Sequence, residues 1–256
     1  MIPEFGNGAM AAILASLLSC AVLMRVGPLD HPVQAHKQHV DPTPTSGGVG
    51  ICIGFAAGLL MLAFSSDRWR RSIDLGDATL LSPAAVFAFI FLLIGVIDDT
   101  RPLGPRLKFL LFVLVSLSAA LLVGVVDHLP LGWQVNLQLP FVVGLVGAAL
   151  WVFVMVNCVN FMDGANGLAM GCVAIGLLAL AMISHALGSS SGTAIGLCGA
   201  GALFGFLFWN FPGGRLFAGD SGALFAGALA ALGSLIVIAR TGLSPFIPPL
   251  LFFPLL

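Results

Sequence analysis

The chain has 256 residues, 59% of them hydrophobic and 8% charged, with a net charge of −1. So little polar side chain cannot coat a water-soluble globule of this size, so lipid has to solvate most of the surface. The near-zero charge excludes a broad basic face for nucleic acid and a polybasic membrane-surface anchor, leaving only local charge chemistry.

A bilayer core about 30 Å thick takes about 20 apolar residues per helix, and each helix must satisfy its own backbone there. In chain order, eight runs meet this requirement, over approximately 8–24, 48–64, 79–97, 109–126, 140–156, 168–187, 193–211 and 221–239. A ninth starts near Phe246 and reaches Leu256 after about half a span. The expected fold is all-α: a polytopic transmembrane helical bundle in a single domain over 1–256, with eight full spans and a truncated ninth. The segment before Cys20 contains Glu4 and no Lys or Arg, which argues against a cleaved signal peptide. Cys20, Cys52, Cys158, Cys172 and Cys198 lack zinc or redox spacing and read as packing residues. The stretch 128–140, HLPLGWQVNLQLP, mixes apolar and polar residues and suits an interfacial hairpin or a short re-entrant piece.

Because spans alternate in direction, the connections 25–47, 98–108, 157–167 and 212–220 emerge on one side. Arg25, Lys37, Arg101, Arg106, Lys108 and Arg215 lie near that side, against Arg68, Arg70, Arg71 and Arg240 on the other. The balance of positive charge places the first side, with its active-site loops, in the cytoplasm.

The first of these connections carries His36, Lys37 and His39 in a Pro-stiffened stretch, with Gly47 and Gly48 opening the next span, and looks like an anion-binding loop. The second holds Asp98 and Asp99 in GVIDDTRPLGPRLK, directly after an apolar run. Two adjacent carboxylates at a membrane edge need a cation; salt bridges to Arg101 or Arg106 are the simpler alternative to a site. Lys108 is placed to bind phosphate, or to snorkel to the interface. In the third, Asn157, Asn160, Asp163 and Asn166 recur every three residues, so on a helix they share a polar face. That face suits metal, phosphate or base recognition, or alternatively a hydrogen-bonded helix end bent by Gly164 and Gly167. In the fourth, GRLFAGDSGALFAG, Asp220 or Ser221 can cap the helix it opens, and the helix start can present N–H groups to phosphate while Asp220 offers a hard oxygen to Mg²⁺.

Together and in this order, PTPTSGG, GVIDDTRPLGPRLK, NCVNFMDGANG and LFAGDSG resemble the polyprenyl-phosphate N-acetylhexosamine-1-phosphate transferase family, glycosyltransferase family 4, over nearly the whole chain. The wording NFMDG is closer to the polysaccharide-initiating branch, which uses UDP-N-acetylglucosamine or a related hexosamine, than to the muramoyl-pentapeptide branch. The resemblance implies transfer of a sugar 1-phosphate from a UDP-amino sugar to undecaprenyl phosphate with release of UMP, on the cytoplasmic face of a bacterial inner membrane. It implies Mg²⁺, with Mn²⁺ as a substitute, and admits a homodimer. It matches Asp98, Asp99, Asp163 and Lys108 to catalytic positions and Asp220, Asp163 and Asp99 to metal ligands. Substrate contacts fall to Asn157, Asn160, Asn166, Lys37, His39, Gly47 and Gly48. Asn166 stands where many members carry a second acid, and Thr45 and Ser46 stand where a basic residue or Gly is common. The family also has a later cytoplasmic loop and at least one further helix beyond the point that Leu256 reaches. A secondary transporter is the rival class, but its acids should lie near the midplane, whereas these fall at span ends; a non-catalytic membrane scaffold is a third reading.

Overall fold

The computed structural model describes residues 3–27, 29–30, 43–65, 77–130 and 136–255. Eight helices among them are long and apolar enough to cross a membrane: α1 (Pro3–Val26), α2 (Gly47–Ser65), α3 (Leu81–Thr100), α4 (Pro105–Val123), α5 (Phe141–Met162), α6 (Leu168–Ala186), α7 (Ser190–Asn210) and α8 (Gly219–Thr241). The protein is a multi-pass membrane protein with an all-α bundle. Past α8, the ninth run forms the short helix α9 (Ile247–Leu251) and a 3₁₀ turn at Phe253–Leu255.

Two small antiparallel pairings sit outside the spans. Strand β1 (Leu29–Asp30) pairs with β2 (Thr43–Pro44), and β3 (His128–Pro130) pairs with β4 (Asn136–Gln138), Leu129 opposite Leu137. The second pair forms the hairpin anticipated for 128–140.

The bundle is built around α8. In its most apolar window 94% of α8 is buried within the protein, against 17% of α1, so α8 is the axis and α1 a lipid-facing wall. Helices α3 and α5 flank α8, while α2 and α7 join it to α1. Such proximity needs small residues. A Cβ on Gly95 of α3 would overlap Ser221 Cα, and one on Gly48 of α2 would overlap the Gly222 amide nitrogen. Both helices thus meet the start of α8 at backbone distance. The side chains of Phe91 and Phe112 fill the α3–α4 contact edge to face, and Phe55 and Phe225 do the same between α2 and α8.

Several helix ends lie beyond the hydropathy limits. Helix α3 continues three residues past Ile97, α5 six past Val156, and α4 starts at Pro105 rather than Phe109. Polar residues end a hydropathy run but not a helix, whose backbone bonds are intact as it leaves the bilayer. Asp98, Asp99, Asn157, Asn160 and Lys108 are consequently helical, held by rigid elements rather than by loops.

Candidate active site

The ends of α3, α5 and α8 and the first turn of α4 converge on one end of the bundle. Lys108 lies between two acids: its Nζ donates to Asp98 Oδ2 at 2.6 Å and to Asp220 Oδ2 at 2.7 Å. The other oxygen of Asp98 accepts from the Leu103 amide at 2.6 Å, which ties the connection 101–104 to the end of α3. The Asp98 side chain is 10% exposed and those of Lys108 and Asp220 are 22% and 33% exposed, so the cluster borders the surface without being washed by it. Across the same centre, Asn160 Nδ2 donates to Asp220 Oδ1 at 2.8 Å.

Asp99 does something different. Its Oδ1 accepts from the Asp220 amide at 2.8 Å and its Oδ2 from the Ser221 amide at 3.1 Å. These N–H groups belong to the first turn of α8, where a helix leaves donors without internal partners. The helix start that the sequence offers to a phosphate is therefore already engaged by a carboxylate from α3.

Gly47 and Gly48 are at the start of α2, where their amides donate to the carbonyls of Phe217 and Ala218 at 3.0 Å each, while the Phe217 amide donates to the Pro44 carbonyl at 2.8 Å. The glycine pair thus builds a backbone seam that fixes the segment ahead of Asp220. Lys37 and His39 lie outside the described residues.

Asp163 follows α5, half-buried at the helix C-cap. Among the described residues it has no hydrogen-bond partner. Loss of hydration pushes its carboxyl up to about 7, and the charges of Asp220 and Asp99 push it the same way. Of its three carboxamide neighbours only Asn160 reaches the cluster. Asn157 turns back and donates to the Phe153 carbonyl of its own helix, and Asn166 lies against Pro212 and Gly214.

Asn210, which hydropathy alone places inside an apolar span, organises this end. Asn210, buried at the end of α7, accepts from the Gly167 amide at 2.7 Å and donates to the Leu216 carbonyl at 2.9 Å, so it clamps the 163–167 turn to the segment before α8. Gly167 has φ +77°, and a side chain there would press on Phe211, so only glycine fits. An amide at the edge of a hydrophobic run was the available signal.

Whether this centre suits a metal is decided by its charge and donors. Four carboxylates face one ammonium, and Asp163 confronts two of them without a cation. The free donors are hard oxygens, which match Mg²⁺. Among the described residues no three Asp, Glu, His or Cys side chains form a ready cage. The centre therefore fits an ion held by one or two carboxylates and completed by water and phosphate.

The family described as Glycosyl transferase family 4 matches residues 81–238, from α3 almost to the end of α8. A probable undecaprenyl-phosphate N-acetylglucosaminyl 1-phosphate transferase of Bacillus subtilis (strain 168) is 28% identical over 253 residues, covering 91% of this chain and 64% of the relative. A phospho-N-acetylmuramoyl-pentapeptide-transferase of Moorella thermoacetica is 32% identical over 91% of this chain and 70% of its own length. A decaprenyl-phosphate N-acetylglucosaminephosphotransferase of Mycolicibacterium smegmatis is 29% identical over 80% of the chain and 52% of the relative. The chain thus spans less than two thirds of the length of the first and third of these.

Proposed function

Since the chain belongs to glycosyl transferase family 4, we propose that it transfers an N-acetylhexosamine 1-phosphate from a UDP-sugar to undecaprenyl or a related polyprenyl phosphate, releasing UMP. The observation that carries this reading is the convergence of Asp98, Lys108, Asn160, Asp163 and Asp220 at one end of the bundle, where a lipid phosphate at the membrane edge can meet a soluble nucleotide.

The reaction opposes an anionic acceptor to an anionic diphosphate, so catalysis is chiefly positioning and charge neutralisation. Asp220 and Asp163 would hold Mg²⁺, which supplies neutralisation of the diphosphate and of the charge left on departing UMP. Lys108 contributes the fixed positive charge of the chain itself, directed by Asp98 and Asp220. A phosphate monoester has a second pKa of about 6 and is largely dianionic at neutral pH, so the acceptor needs little help from a base. Asp98 then serves to orient Lys108 and the connection through Leu103. The site faces the cytoplasm of a bacterial inner membrane in this reading.

The relative of Moorella thermoacetica supports a second donor, a UDP-muramoyl-pentapeptide, for the same chemistry. Membranes containing the chain, incubated with undecaprenyl phosphate, Mg²⁺ and either radiolabelled UDP-N-acetylglucosamine or the muramoyl-pentapeptide nucleotide, test both. Lipid-linked label and UMP in one arm, abolished by EDTA and by Asp220→Asn, are expected. Absence of product from every UDP-amino sugar overturns the transferase reading.

A further inference from the structure

The two neighbouring acids of α3 have separate jobs in this structure. Asp98 accepts from Lys108 and from Leu103, within the charge cluster. Asp99 faces the backbone of α8, with its two oxygens accepting from two consecutive amides at the start of that helix. No side chain of α8 itself caps that helix, and the residue before it, Ala218, has nothing to offer. We propose that Asp99 is a positioning residue: an N-cap supplied from another helix, which fixes where Asp220 points, and neither a metal ligand nor a base. The assignment deepens the transferase reading of this site and rests on it for the role of Asp220.

Three further features agree. Asp99 is in the last turn of α3, where the helix dipole is unfavourable to a negative charge, whereas the N-terminus of α8 favours it. The carboxylate thus sits at the end of the wrong helix to serve the right one. Gly219 has φ +69°, and a Cβ on it would lie 2.7 Å from Asp99 Oδ2, so the residue beside Asp220 is kept bare where the carboxylate docks. Gly95, one turn before Asp99, allows α3 to touch the backbone of Ser221, bringing the acid within reach of the amides. Capping by Asp99 leaves Asp220 free to meet Lys108 and Asn160 with both oxygens.

Lys108 reports on that placement without metal or substrate. In the purified chain in detergent, its clamped ammonium should acylate slowly with an N-hydroxysuccinimide ester, as read by mass spectrometry, and Asp220→Asn, which leaves Asp98 as the partner of Lys108, gives the rate reached when the α8 contact is lost. Asp99→Asn, which keeps one of the two capping oxygens, should label at a rate between wild type and Asp99→Ala, while Asp99→Ala should label about fivefold faster than wild type, a factor matching loss of one cap. Gly219→Ala retains every carboxylate and should also accelerate labelling, which keeps the proposal testable if Asp99→Ala does not fold. Asp99→Asn labelling as fast as Asp220→Asn, or Gly219→Ala as slow as wild type, would overturn it. A Mn²⁺ titration by electron paramagnetic resonance separates a ligand from a cap: Asp99→Asn should lose less affinity than Asp220→Asn, and a loss as large as that of Asp220→Asn would make Asp99 a ligand. Turnover is not the readout, so failure of the capping role and failure of the transferase reading are told apart.

Discussion

Lys108 is a cation in the first turn of α4, where its own helix dipole opposes it, and its two acid partners come from α3 and α8. Removing it leaves Asp98 and Asp220 facing each other without a counter-charge. Lys108→Met should therefore lower stability by roughly 1–3 kcal/mol, less than a fully buried pair would because the group is partly solvated. Adding Asp98→Asn should restore part of the loss, measurable by denaturation in detergent; a double variant no more stable than the single one would show that the charges do not interact. Asp163 gives the opposite sign. It is a half-buried carboxylate pressed by two others, so Asp163→Asn should raise the melting temperature of metal-free protein. Mg²⁺ should stabilise wild type and do so much less in the variant; a variant destabilised without metal would mean that Asp163 has a favourable partner.

At the scale of elements, span number and order were legible because each span must carry an unbroken apolar run of bilayer length. Helix ends were not. Hydropathy stopped at Ile97 and Val156, yet α3 and α5 run on to Thr100 and Met162, which turns four supposed loop residues into rigidly aimed side chains. That polar residues gather at one end of the bundle was legible from their place at span ends; which partner each takes was not. Asp99 finds its donors 121 and 122 positions away, and nothing local distinguishes it from Asp98. Asn157 and Asn160 share a helical face, but a short rotation along the helix turns one back to its own backbone and lets the other reach α8. The glycines show the same dependence on neighbours. Gly95→Ala would ordinarily favour the helix by about 0.5–1 kcal/mol, but here the new methyl meets the backbone of Ser221, which cannot yield as a side chain could. It should cost about 3 kcal/mol and disturb Asp99 with it. Gly171→Ala in α6, where a Cβ meets nothing within 4 Å, should be neutral or slightly stabilising. Equal effects of the two in thermal unfolding would refute the close approach.

Across the whole molecule, burial and charge are distributed along different axes. Burial increases radially, from α1 at the lipid to α8 at the centre. Charge is arranged along the bundle, with the carboxylate cluster at the end where α3 and α5 finish and α4 and α8 begin. If the proposed transfer holds, its nucleotide donor would require this end to face the cytoplasm, the side to which the positive residues near it also point. Gly213, exposed between α7 and α8, marks the cluster end, and Asp127, exposed after α4, marks the other. In a background without the native cysteines, Asp127→Cys should react with a membrane-impermeant maleimide in spheroplasts. Gly213→Cys should react only in inverted vesicles, and it has room to do so because a side chain there meets nothing within 4 Å. The reverse pattern would put the carboxylates outside the cell, away from any nucleotide supply, and a UDP-sugar donor would then have to be abandoned even if the fold and the cluster geometry stood.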